Sequence, residues 1–207
     1  MSSLSELLPY RGAVTERLLL REFSHRVKDG LASAIGLVVE AAGRSDSNEA
    51  KATLVEVLDR LQSHALVHRC LQMPEYDTTV DVAVYLHQLC RAVSRAELAD
   101  EGIALVLSVD PLRISADRCW LLGMIAVELI ADAARRAFRG GAGSIRLEVK
   151  STGSSIQCCI SDDGIPDESP HHSGHVILEA LVTNLQGTLE SQSGPDGARR
   201  VVNLPMD

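Results

Sequence analysis

The residues best placed for nucleophilic chemistry lie in one stretch, Leu18 to Val39, which reads LLLREFSHRVKDGLASAIGLVV. Apolar side chains recur at Leu20, Phe23, Val27, Leu31, Ile35 and Val38, the three- and four-residue spacing of an amphipathic helix. His25 is two positions from both Phe23 and Val27, so at about 100° per residue it points away from that stripe. Its neighbours one turn away are Arg21, Glu22, Lys28 and Asp29. An imidazole held in water among charges, on a rigid element, is placed to act as a nucleophile. Asp29 can accept a proton from the ring and favour the tautomer with a free nitrogen, or repel an incoming anionic group, and Lys28 can balance its charge. An ordinary surface histidine has the same neighbours, so this stretch by itself leaves both readings open.

Other reactive side chains carry less. His171, His172 and His175 cluster, but no carboxylate or cysteine stands at a recognised ligand spacing, and a solvated loop accounts for them. Cys70, Cys90, Cys119, Cys158 and Cys159 are odd in number and form no CxxC pair. They announce neither a disulfide framework nor a zinc site, and buried thiols in a reducing compartment explain them. No metal site is expected from either set.

A chain of 207 residues can bury a real core as one large or two small domains. Its net charge of −8, with two Phe, three Tyr and one Trp, argues against nucleic acid, which asks for basic and stacking surfaces. The N-terminus lacks a basic segment followed by an apolar one, and the apolar run from Cys119 stops at Glu128, well short of a membrane span. A cytoplasmic protein without membrane or nucleic-acid partners is expected.

The elements that must position His25 follow from periodicity. Residues 1–13, with Pro9 and Gly12, read as a loose lead-in, and a helix is expected from Val14 to Ala42, stopped by Gly43. Asp46 with Glu49 has capping-box spacing and opens a second helix to Met73, with Leu54, Leu58, Leu61 and Ala65 on its apolar face. Such a hairpin is too thin to bury both stripes, so a homodimer forming a four-helix bundle is expected over residues 14–73. Coverage of the stripes by the second domain is the alternative. After a polar linker, MPEYDTT, come a helix over 80–96, a strand over 103–109, and a helix from a Ser115 cap to Phe138. Strands are expected over 144–150 and 155–161, then a loop over 162–174 and a helix over 175–185. Two closing strands flank the turn GPDG. This order argues for an α+β two-layer sandwich over residues 80–207 rather than a parallel βαβ sheet.

Taken in order, these motifs make the chain resemble a histidine kinase core of the HWE-related class from about residue 17 to the end. The residues that carry the resemblance are His25-Arg26-Val27-Lys28 with Leu31, Ala65-Leu66-Val67-His68, and Glu128-Leu129-Ile130 with Ala137-Phe138. Asp162-Asp163-Gly164 and Gly187-Thr188-Leu189-Glu190 complete it. The resemblance implies a dimerising hairpin with His25 as phosphoacceptor, followed by a Bergerat-type nucleotide-binding sandwich. It assigns nucleotide contacts to Glu128, Asp132, Asp162, Gly164 and Gly174.

The nucleotide motifs depart from the family pattern. Where relatives show a helix resembling NELxxNA, with its last asparagine on magnesium, this chain has Val127 and Asp132 at the two asparagine positions. A carboxylate accepts magnesium readily but adds negative charge beside a triphosphate; Arg135, Arg136 and Arg139 can offset it or serve the helix dipole. Pro166 stands at the second glycine of a DxGxG-like motif, and His172 at the first glycine of a GxGL-like one. The segment from Asp162 to Gly174 is also short for a nucleotide lid. Asp29 replaces the usual asparagine after the phosphoacceptor. Phosphoryl transfer from ATP rests on metal and phosphate contacts, so the leading expectation is a histidine phosphotransferase with no cofactor. It would exchange phosphate between His25 and a response-regulator receiver domain. A kinase using ATP and magnesium, with Asp132 as the metal residue, is the alternative, and a non-catalytic dimeric scaffold is a third.

Overall fold

Amphipathic periodicity builds the first unit, a pair of helices, although not with the expected ends. The computed structural model describes residues 7–74, 76, 78–138, 141–165, 173–194 and 197–206, with side chains described from residue 18 of the first helix and from residue 176 of the last. The chain divides between Met73 and Pro74 into two units.

In the first unit, α1 spans Leu7–Arg44 and α2 spans Asn48–Cys70. The expected loose lead-in is therefore helical from Leu7. Pro9 falls in the first turn, where a missing N–H costs no helical hydrogen bond. The cap of α2 is Ser47 rather than Asp46: its hydroxyl accepts the Ala50 N–H at 3.3 Å.

Val27, Leu31, Ile35 and Val38 of α1 and Leu54, Leu58, Leu61 and Ala65 of α2 are half-buried, as the stripes require. Leu20 and Phe23 are not part of this seam; Phe23 is 67% exposed. The cause is length. The 38 residues of α1 outrun the 23 of α2, so the first turns of α1 have no helix opposite them. Among the described residues of this unit only Ser63 and Val67 are buried.

In the second unit the expected helix over 80–96 begins instead as a strand, β1 (Thr79–Asp81), whose last residue caps α3 (Val82–Val93) through the Val84 N–H at 3.1 Å. α3 runs on through a π-helical turn, Ser94–Leu98, and a 3-10 turn, Ala99–Glu101. β2 (Ile103–Val109) follows, then β3 (Arg113–Ser115), which pairs antiparallel with β1. Ser115 caps α4 (Ala116–Ala137) as its type and position predict.

The remaining elements are β4 (Gly143–Ser151), β5 (Ser155–Asp162), α5 (Ser173–Asn184), β6 (Thr188–Gly194) and β7 (Gly197–Pro205). The main sheet has order β2-β4-β5-β7-β6. Every pairing is antiparallel except β2 with β4, which run parallel on either side of α4. The α+β class stands, and the sheet contains one parallel crossover, β2-α4-β4, although the order of elements argues against a parallel βαβ sheet.

Alternation along the strands separates the two faces of the sheet. Ile145, Leu147 and Val149 of β4, Ile156, Cys158 and Ile160 of β5, and Val202 and Leu204 of β7 are buried together. They form the core with Leu122, Ile125, Leu129 and Ile130 of α4. The other face is largely polar, with Lys150 paired to Glu148 at 3.0 Å. Asp162 and Arg200 share the core parity, so the sheet carries two charged groups to the helix side where the apolar rows end.

Candidate functional site

His25 lies exposed on α1, with Lys28 and Asp29 also exposed. Its neighbour Arg26 is drawn back to Glu22 at 2.9 Å. No hydrogen bond among the described residues joins His25 to Asp29, so the expected ring contact is not made. Lys28 instead borders a groove of about 430 Å³ between α1 and α2, with Leu31, Ile35, Ala65, His68 and Gln72. The helix presents His25 to water and supplies no second side chain to it.

Of the residues expected to contact a nucleotide, Asp132, Asp162 and Gly164 lie at one corner of the second unit, where α4, the end of β5 and the start of β7 meet. Asp132 is 8% exposed. Its Oδ2 accepts from Nε of Arg136 at 2.9 Å and from Nη2 of the same side chain at 2.8 Å. It also accepts from Nη1 of Arg200, reaching in from β7. Of the three arginines weighed from sequence, Arg136 engages the carboxylate, while Arg139 lies outside the described residues. Arg200 was missed. Its signal was present: it stands at the parity of Val202 and Leu204, opposite buried Ile160, where an apolar residue is the rule.

Asp162 ends β5 as its register predicts. Its Oδ1 accepts from the amides of Gly164 at 3.2 Å and Ala198 at 3.3 Å. Oδ2 carries no hydrogen bond among the described residues, an acceptor suited to an exocyclic amine. Asp163 Oδ1 takes the Ser144 amide at 2.7 Å. Gly164 packs so tightly on Ala137 that a Cβ would collide with the Ala137 carbonyl. Gly197, at φ +123°, passes over the Asp162 carbonyl, where only glycine fits. Gly174 lies in the first turn of α5; Pro166, His171 and His172 fall outside the described residues.

Burial raises the pKa of Asp162 above the ordinary carboxylate range, against the lowering effect of the Ala198 and Gly164 amides and of Arg136; Asp163 adds to the rise. Arg136 thus acts on both carboxylates and links the two motifs into one site. Glu128, half-buried on α4, is likewise raised by burial, with Arg135 opposing and Glu97 reinforcing.

A raised folded pKa means that Asp162 favours folding below its unfolded pKa of about 3.9, and that this contribution is lost as pH rises through the folded value. Asp162→Asn keeps an oxygen for both amides and removes the charge. It is expected to melt at or above wild type at pH 7, with the difference shrinking as pH is lowered toward 4. Thermal melts at the two pH values check this.

Asp132 does not fit a magnesium ion. The metal asks for oxygen ligands at about 2.0–2.1 Å in an octahedron. Here the carboxylate oxygen Oδ2 is shared by two guanidinium groups that a divalent cation would have to approach at contact distance. Among the described residues there is no group of three or more histidine, cysteine or acidic side chains able to hold a metal. No helix of the described residues is long and apolar enough to cross a membrane.

Residues 22–97 match a family model described as histidine kinase (HisKA_2). The chain is 31% identical over 211 residues to the sensor histidine kinase PdtaS of Mycolicibacterium smegmatis, covering 93% of this chain and 40% of that protein. It is 27% identical over 194 residues to PdtaS of Mycobacterium tuberculosis, covering 91% of this chain and 38% of that protein. It therefore spans about 40% of the length of these relatives. The histidine kinase domain of the blue-light activated kinase EL346 from Erythrobacter litoralis superposes with a TM-score of 0.58 at 16% identity, over 84% of this chain and 96% of that one. Full-length ShkA in complex with AMPPNP gives 0.54 at 17%, over 90% and 45%. At these identities the likeness is one of fold: a helical hairpin followed by a mixed α/β sheet domain.

Proposed function

We propose that this chain is the core of a histidine kinase, in which ATP phosphorylates His25 and the phosphoryl group then passes to the aspartate of a response-regulator receiver domain. Similarity to sensor histidine kinases along 93% of the chain carries the reading, and fits ATP as donor better than a phosphotransferase without one. The exposed imidazole agrees with it. In the first step a ring nitrogen of His25 attacks the γ-phosphorus, the bond to the β–γ bridging oxygen breaks, and ADP leaves. In the second, a receiver carboxylate oxygen attacks the phosphorus and the N–P bond breaks, returning neutral imidazole.

Residues 14–73 would supply the phosphoacceptor hairpin and the dimer contact, and residues 80–207 a Bergerat-type nucleotide domain. In this reading Asp162 accepts from the adenine amine, Gly164 lets the loop close on α4, and Glu128 and Gly174 flank the phosphates. Lys28 and Asp29 hold charge beside the reacting ring.

One observation favours a second reading, in which His25 only exchanges phosphate with receivers: Asp132, at the magnesium position, is already paired twice. A single assay separates the two. Incubated with γ-labelled ATP, the kinase gains acid-labile label on the chain. Under the second reading the chain stays unlabelled by ATP and acquires label only from a phosphorylated receiver.

A further inference from the structure

The cluster of Asp132, Arg136 and Arg200 stands where the family pattern sets a neutral amide and a divalent cation. The amide and metal together bring a charge of +2; one carboxylate with two guanidinium groups brings a net +1. Positive charge therefore survives at this corner with no metal. It is also held in place. The side chains of Arg200 and Asp132 are each only 12% exposed, and Arg136 at 23% is anchored through two of its nitrogens. A guanidinium has five N–H donors in a plane, and Arg200 meets Asp132 through Nη1 alone. Forked donors of this kind match phosphate oxygens, and Asp132 fixes the fork before any ligand arrives.

Arg200 descends from β7 beside the Asp162–Ala198 contact, and Arg136 acts on both Asp132 and Asp162. Among the described residues the same corner thus offers an acceptor oxygen without a hydrogen bond, for a base, and a cationic fork for its phosphates.

We propose that this corner binds the polyphosphate of an adenine nucleotide without a divalent cation, with Arg200 and Arg136 meeting the charge that magnesium would otherwise neutralise. The inference rests on reading the second unit as a nucleotide domain.

The test is a calorimetric titration of the whole chain with ATP, in excess EDTA and in excess magnesium. Affinities within about threefold of each other are expected, because no metal contact is gained from the protein. Arg200→Gln should weaken binding in EDTA by about tenfold or more, the scale of one lost charge-assisted hydrogen bond. If a melt shows that Arg200→Gln does not fold, Asp132→Asn/Arg200→Gln, which keeps the net charge of the corner and removes the Arg200 guanidinium donors, replaces it with the same expectation.

Binding that appears only with magnesium would overturn the metal-free proposal and leave the nucleotide domain standing. Binding in EDTA that Arg200→Gln, or its replacement, leaves untouched would overturn the assignment to Arg200. Absence of binding under both conditions would overturn the proposal together with the kinase reading beneath it.

Discussion

His25→Ala is expected to bring phosphorylation of the chain to background, whichever donor supplies the phosphate. In the proposed reaction the imidazole supplies the nitrogen of the N–P bond, and neither Lys28 nor Asp29 replaces an aromatic nitrogen nucleophile. Loss of structure would not account for the result. His25 is exposed on the outer face of α1 and no described hydrogen bond depends on it, so the substitution should change stability by no more than about 0.5 kcal/mol. Phosphate retained at wild-type level in His25→Ala, with circular dichroism unchanged, would place the acceptor elsewhere. Asp29→Asn sharpens the result. With no contact between Asp29 and the ring, it should alter the rate modestly rather than abolish it.

The second large effect concerns Asp132. Asp132→Ala leaves Arg200 and Arg136 close together, nearly buried, without the carboxylate that holds them. Breaking a buried pair by removing one partner costs about 3–5 kcal/mol, mostly the desolvation of what remains. For a protein of this size that is a fall in melting temperature of roughly 10 °C. Asp132→Asn should cost less, since an amide oxygen still accepts from a guanidinium. Asp132→Ala/Arg200→Leu should recover much of the loss, because Leu continues the apolar row of Val202 and Leu204. Thermal melts of wild type, Asp132→Ala, Arg200→Leu and the double variant form a double-mutant cycle, and additive losses would show that the pair is not coupled.

The contrast between these two sites shows what a sequence exposes. His25 was legible because helix geometry alone decides which residues share a stripe. The Ser115 cap and the end of β5 at Asp162 were legible for the same local reason. Asp46 and Ser47 both suit a cap, and only the backbone decides which hydroxyl or carboxylate meets the third amide. β1 and β3 escaped notice because three residues are too few for alternation to register, and their pairing joins distant positions, Thr79 with Ser115 and Asp81 with Arg113. Arg200 was hidden differently. Its parity marked it as facing the core, but its partner Asp132 lies 68 residues earlier on a helix. Periodicity says which face a residue occupies and is silent on what crosses it. The overreach of α1 beyond α2 was likewise invisible until the ends of both helices were known.

The thin interior of the hairpin has a consequence in time. With Ser63 and Val67 alone buried among its described residues, little apolar surface must be exposed to open a turn of α1 or α2. Opening there costs a few local hydrogen bonds, whereas opening β4 or β5 means breaking the core of the second unit. In a single chain the segment bearing His25 should therefore exchange its amide protons through small, frequent fluctuations, and the corner around Asp132 and Asp162 through rare, collective ones.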